Sequence, residues 1–104
     1  MKERRQYKRY NTNLKAKCIY YSKAIKTAKK EALIKDTSHD GVKLAIRDSI
    51  EKGTYFLLEF LSGGLNLPVI ATGKVIWHKQ GECGIKFDWV SGRQKYEHYL
   101  SSLS

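Results

Sequence analysis

Alternation of apolar and polar residues runs through most of the chain and predicts a succession of short strands. Leu14 to Tyr21 places Leu14, Ala16, Cys18 and Tyr20 on one side, the two-residue period of a half-buried strand. Ala32 to Lys35 reads as a second strand, and Val42 to Ile46 as a third with Val42, Leu44 and Ile46 inward. Thr54 to Leu61 is strongly apolar and aromatic, as a central strand is. Leu67 to His78 is β-branched, with Pro68 near its start and Gly73 inside it. Proline is tolerated at a strand start, and an internal glycine predicts a bulge or barrel bend. Cys83 to Trp89 is the last strand, with Ile85, Phe87 and Trp89 on one face. Turns are expected at 48–53, 62–64 and 79–82. The lysine-rich stretch 22–31 reads as a hairpin loop or strand edge, where lysines discourage edge-to-edge pairing; a short basic helix is the other reading.

After Trp89 the period lengthens. Ser91-Gly92-Arg93-Gln94 matches a capping box, and Tyr96, Tyr99, Leu100 and Leu103 follow at helical spacing. Six short strands and one terminal helix predict an all-β fold, a small antiparallel β-barrel over residues 14–90 with a C-terminal α-helix over 91–104. Residues 1–13 read as an irregular arm ending in the turn-like Asn11-Thr12-Asn13. With 104 residues, the expectation is one domain with one modest core.

Charge changes this picture. Residues 1–30 hold eleven Lys/Arg against one acid, Glu3, a net of +10. Residues 31–104 hold nine Lys/Arg and nine acids, a net of zero. A neutral body with one cationic end points to an anionic partner met at that end: nucleic acid, a nucleotide, acidic lipid or an acidic protein surface. Cys18 and Cys83 lack CxxC spacing and read as buried thiols in a reducing compartment. His39, His78 and His98 lack metal-ligand spacing, which argues against zinc. No apolar run follows the basic N-terminus or approaches membrane-spanning length, so a cytoplasmic location is expected. No activated nucleophile or carboxylate pair stands out, and His39-Asp40 are adjacent residues that seldom point together, so catalysis is not expected.

Two stretches carry candidate chemistry. Arg4-Arg5-Gln6-Tyr7-Lys8-Arg9 packs four cations and one aromatic into six residues. Guanidinium forks suit phosphate oxygens and purine edges, although such a run also serves as a solvated arm. Asp36-Thr37-Ser38-His39-Asp40-Gly41 fits a tight turn at a strand end, with side-chain-to-backbone bonds from Asp and Ser and a positive φ at Gly41. The same residues suit a ligand. Asp36 can accept from guanine N1–H and N2–H together, Ser38 can donate to a phosphate oxygen, and Gly41 permits close approach.

Together these stretches resemble the two motifs of the PilZ domain family, RxxxR (Arg5 to Arg9) and [DN]xSxxG (Asp36 to Gly41), in the right order. Gly73-Lys74-Val75-Ile76-Trp77 and Gly84-Ile85-Lys86-Phe87 are similar to a third segment of that family. The resemblance implies a six-stranded PilZ-type barrel that binds the bacterial second messenger cyclic di-GMP, with no resident cofactor. By that resemblance Arg5 and Arg9 are arm cations, Asp36 and Ser38 polar contacts, Gly41 the permissive turn, and Trp77 and Gly84 neighbours of the guanine. Arg4 makes the motif RRxxxR, a version associated in the family with two intercalated ligand molecules. A signal would pass in trans to an unidentified effector protein. The rival readings are a basic β-barrel binding nucleic acid through Lys15, Lys17, Lys23, Lys26, Lys29 and Lys30 with Tyr20 and Tyr21, and a ligand-free protein adaptor.

Overall fold

The computed structural model describes residues 9–22, 26–48, 50–61 and 68–102. Six strands, β1 (Tyr10–Ser22), β2 (Lys26–Ser38), β3 (Gly41–Ala45), β4 (Tyr55–Phe60), β5 (Val69–Lys79) and β6 (Glu82–Val90), precede one helix, α1 (Arg93–Ser102). The strands form a closed antiparallel barrel in the order β1-β2-β3-β6-β5-β4, with β4 pairing back onto β1. The expected six-stranded barrel with a terminal helix is therefore what the chain forms.

Alternation places the core. Ala16, Cys18 and Tyr20 of β1, Val42 and Leu44 of β3, and Phe56, Leu58 and Phe60 of β4 all point inward and are buried. Tyr20 stacks on Phe56 at 4.8 Å between centroids, and its hydroxyl donates to Asp48. At another part of the core, Tyr96 of α1 packs edge-on against Phe60 and Phe87 at 6.2 and 6.0 Å. The helix buries Tyr96, Tyr99 and Leu100, as its period predicts; Leu103 lies outside the described residues.

Three local readings are corrected and one is decided between alternatives. Asn11-Thr12-Asn13 is not a turn but part of β1, where the register to β2 shifts between Asn11 and Leu14 and the Thr12 hydroxyl donates to the Ile34 carbonyl. Of the readings of 22–31, the strand edge is the one Lys26 to Glu31 adopts, paired with β1 alone, which satisfies its backbone whatever its side chains are. Trp89 does not share a face with Phe87. Thr72 pairs with Trp89 but Gly73 with Phe87, so a bulge resets the alternation, leaving Trp89 54% exposed and Val90 buried. Ser91 does not cap α1. Its hydroxyl accepts from the Ile70 amide, and the first helical bond runs from the Tyr96 amide to the Gly92 carbonyl.

Both cysteines are free and fully buried. Burial pushes the Cys18 thiol up to about 12, with Cys83 nearby adding to the shift, and the Cys83 thiol up to about 11. Thiolate is the reactive form, so neither should react at mildly alkaline pH while the protein is folded. A thiol-reagent time course should show both labelling only after denaturant is added; prompt labelling of the native protein would mean the barrel opens locally.

Candidate functional site

The N-terminal end of β1 and the β2–β3 turn meet at one edge of the barrel. Asn11 pairs with Asp36 across the β1–β2 ladder, which brings Arg9 alongside the Asp36 side chain. Arg9 Nη2 and Nε donate to Asp36 Oδ1 at 2.6 and 3.2 Å. Lys43, the direct β3 partner of Asp36, places Nζ 3.6 Å from Oδ2. Each carboxylate oxygen thus faces its own cation, and the carboxylate is only 13% exposed. Such a pair is charge-assisted and geometrically fixed, unlike a mobile surface ion pair.

The turn itself is held from several sides. Ser38 is fully buried, and its hydroxyl donates to Asp40 Oδ1 at 2.8 Å. The Ser38 carbonyl accepts from Tyr96 Oη at 2.6 Å, and the His39 carbonyl from Arg93 Nη1 at 2.7 Å. His39 Nε2 lies 2.5 Å from Glu97 Oε2. On the other flank the Phe87 amide donates to the Asp40 carbonyl at 2.8 Å. Arg93, Tyr96 and Glu97 are spaced to share one helical face, and that face grips the turn.

Gly41 does not adopt the expected positive φ; the described glycines that do are Gly53, Gly81 and Gly92. Gly41 is needed because β3 runs so close to β6 that a Cβ would stand 2.2 Å from the Ile85 carbonyl oxygen. Gly84 serves a different neighbour. A Cβ there would stand 2.1 Å from Trp77 Nε1, so the indole lies directly against the glycine backbone. Trp77 sits beyond a register shift in β5, between Val75 and Trp77, that carries it away from the buried row. It is half-buried and outside the hydrophobic core cluster.

Arg9, Asp40, Gly41, Trp77, Gly84 and Lys86 line one shallow recess of about 50 Å³. That is well below the volume of a pocket that encloses a ligand, so a nucleotide would lie on this surface and need covering from outside. The structure therefore brings together Arg9, Asp36, Gly41, Trp77 and Gly84, and turns the Ser38 hydroxyl inward onto Asp40. Arg4 and Arg5 lie outside the described residues. Sequence reading missed Lys43 and the helix clasp. Lys43 could be found only from the β2–β3 register, and the clasp only from the helical spacing of Arg93, Tyr96 and Glu97. No group of three or more His, Cys, Asp or Glu among the described residues is placed to hold a metal ion. None of their helices is long and apolar enough to cross a membrane.

In fold, the chain is similar to the PilZ domain of CeSA from a cellulose synthesizing bacterium, at a TM-score of 0.64 and 10% identity over 92% of this chain and 94% of that one. It is also similar to the Bacillus subtilis inhibitor of motility MotI/DgrA, at a TM-score of 0.65 and 12% identity over 97% of this chain and 52% of that protein, about half its length. At such identities the likeness speaks for the fold alone. No curated protein matches the sequence. The family model of the PilZ domain matches residues 3–102 and so spans both motifs, the barrel and the helix; the chain belongs to the PilZ domain family.

Proposed function

We propose that this chain is a receptor for cyclic di-GMP that closes its N-terminal arginine arm over the ligand and passes the signal to another protein in trans. What supports this reading is the convergence of motif residues as distant as Arg9 and Gly84 on one open surface, with a carboxylate already set between two cations. The ligand carries two phosphates and two guanines. It calls for cations, for flat groups to stack on, and for one acceptor matched to the guanine edge.

The geometry supports an exchange of partners. Without ligand, Arg9 neutralises Asp36. A phosphate drawing Arg9 away would free Asp36 Oδ1 for guanine N1–H and N2–H, while Lys43 stays on Oδ2 and keeps the carboxylate compensated. Trp77 and Arg5 would flank the purine, Gly84 would seat the indole that does so, and Gly41 would hold the turn close to β6. Arg4 would supply the cation for a second, intercalated molecule. Ordering the arm costs ~1–2 kcal/mol per residue fixed, which the ion pairs and stacking must exceed. A loose cationic segment becoming a fixed surface is the signal this reading transmits.

Isothermal titration with cyclic di-GMP tests it on the wild type, Arg9→Ala and Asp36→Ala. Saturable binding is expected, weakened roughly thirtyfold or more in each variant, since a charge-assisted contact is lost in each. A stoichiometry of two would assign Arg4 its role, and slowed hydrogen exchange over residues 2–10 would report the arm closing. No binding by the folded wild type would sink the reading.

A further inference from the structure

Most of the polar groups on the candidate surface are already engaged. Arg9 donates twice to Asp36, Lys43 faces the other oxygen of that carboxylate, and the buried Ser38 hydroxyl donates to Asp40. The cations that wall the recess are Arg9, where β1 begins, and Lys86 on β6; Asp40 is its acid. β3 lies between β2 and β6 in the barrel, so Arg9 and Lys86 reach the recess from either flank of β3. Lys86 is exposed and, unlike Arg9, stands in no ion pair among the described residues.

The strands beside Lys86 leave its charge unanswered. Its direct partner on β5 is Lys74, also exposed. Both project outward, since Val75 and Ile85, the next pair along the ladder, are buried. Like charges directly opposite one another on a sheet face are unfavourable. Its partner on β3 is Gly41, which has no side chain to compensate it. Asp88 lies two residues further along β6. The hydroxyls of Thr72 and Tyr55 donate to it and hold its carboxyl below the usual range, with Lys74 a smaller contributor. The ligand-free barrel therefore keeps two opposed ammonium groups next to the recess, an arrangement that a bound anion would relieve.

We propose that Lys86 holds a phosphate of the bound nucleotide, with Lys74 as the positioning charge behind it. The inference rests on the receptor reading and adds a contact that neither the arginine motif nor the turn motif contains. A cyclic dinucleotide carries two phosphates, and the recess has a cation on each flank of β3, Arg9 for one and Lys86 for the other. Ser38, the hydroxyl that the turn motif offers to a phosphate, is turned inward onto Asp40, which leaves that role to another donor. An ammonium on a flexible stem suits it, because it can follow a ligand that lies on an open surface without the fixed geometry a guanidinium fork demands.

Isothermal titration of the full chain with cyclic di-GMP tests this on the wild type, Lys86→Met, Lys86→Arg and Lys74→Met, with thermal melts of each in the absence of ligand. Lys86→Met keeps the apolar stem and removes the charge. Binding should weaken roughly tenfold, the loss of one charge-assisted contact at an exposed position, and what remains should respond less steeply to salt. Lys86→Arg should bind within roughly threefold of the wild type. Lys74→Met, which acts through the field alone, should weaken binding roughly threefold. Without ligand, both methionine variants should melt at or above the wild-type temperature, because each removes a repulsion. Unchanged affinity in Lys86→Met, beside a wild type that binds, would overturn this inference and leave the receptor reading standing. No binding by the folded wild type would overturn both. Weaker binding together with a lower melting temperature in Lys86→Met and Lys86→Arg alike would make Lys86 a support of the ladder and would also overturn the inference.

Discussion

Truncating Tyr96 to alanine should lower the free energy of unfolding by about 4–5 kcal/mol. Two losses add. The ring is fully buried and lies edge-on to Phe60 and Phe87, so its removal leaves a cavity in the core, at about 3–5 kcal/mol for a large aromatic. The hydroxyl donates to the Ser38 carbonyl at 2.6 Å, and losing it strands a buried acceptor, for about 1–2 kcal/mol more, less whatever water enters the cavity. Against a total stability of about 5–15 kcal/mol for a domain, this is about a third or more. Tyr96→Phe separates the terms, since it keeps the ring and removes only the donor; about 1–2 kcal/mol is expected. Burial pushes the Tyr96 hydroxyl well above the usual phenol range, so it stays protonated and donating through alkaline pH. Urea melts of the two variants decide the matter. If both cost under about 1 kcal/mol, the helix is an accessory rather than part of the core.

Gly41→Ala should be the most damaging single-methyl change in the turn, costing about 3 kcal/mol or more. The added carbon would stand 2.2 Å from the Ile85 carbonyl oxygen and 3.2 Å from its carbon. The obstacle is β6 backbone at the first rungs of the β3–β6 ladder, where Gly41 pairs with Lys86 and Val42 with Ile85, so no side chain can turn aside to relieve it. Either the ladder spreads or the turn shifts, and the turn is tied to α1 through Ser38 and His39. Gly84→Ala offers the contrast. Its clash is with the Trp77 indole, a side chain that can rotate away. That variant should lose well under half as much stability and show its effect on Trp77 fluorescence. Equal losses in the two would mean that the strand backbone yields as readily as a rotamer does.

Most of the barrel was legible because its strands are half-buried and alternate. Leu14 to Tyr20 and Val42 to Ile46 could be assigned inward and outward residue by residue. Legibility failed where pairing rather than burial makes the strand. Lys26 to Glu31 carries charge on both of its sides, so its sequence leaves loop, strand edge and helix open and only its partner β1 decides among them. It failed again at bulges, because a two-residue period carries no sign of the extra residue that puts Phe87 inward and Trp89 outward. In the candidate site, Arg9, Asp36 and Gly41 could be picked out because the motifs are local. The second cation on Asp36 and the grip of Arg93, Tyr96 and Glu97 on the turn join residues far apart along the chain, and no spacing rule reaches that far. Of the two reasons the sequence offers for Gly41, a positive φ and close approach, the structure shows the second. A glycine in a turn suggests a left-handed conformation, whereas this one answers a carbonyl on another strand.

The position of β6 in the barrel has a consequence for how the molecule comes into being. This strand, Glu82–Val90, sits between β3 and β5 and is the only described strand that joins them. During synthesis β1 through β5 emerge first, and the ring cannot close until β6 has left the ribosome. Pairings such as Ala16 with Phe60 and Gly41 with Lys86 also span long stretches of chain, which sets folding on a millisecond-to-second scale rather than microseconds. Arg9 and Asp36 are made early, but Gly84 and the helix that holds the turn arrive last. A nascent chain therefore holds the Arg9–Asp36 pair before it has the recess beside that pair, which is complete only once β6 and α1 have been made.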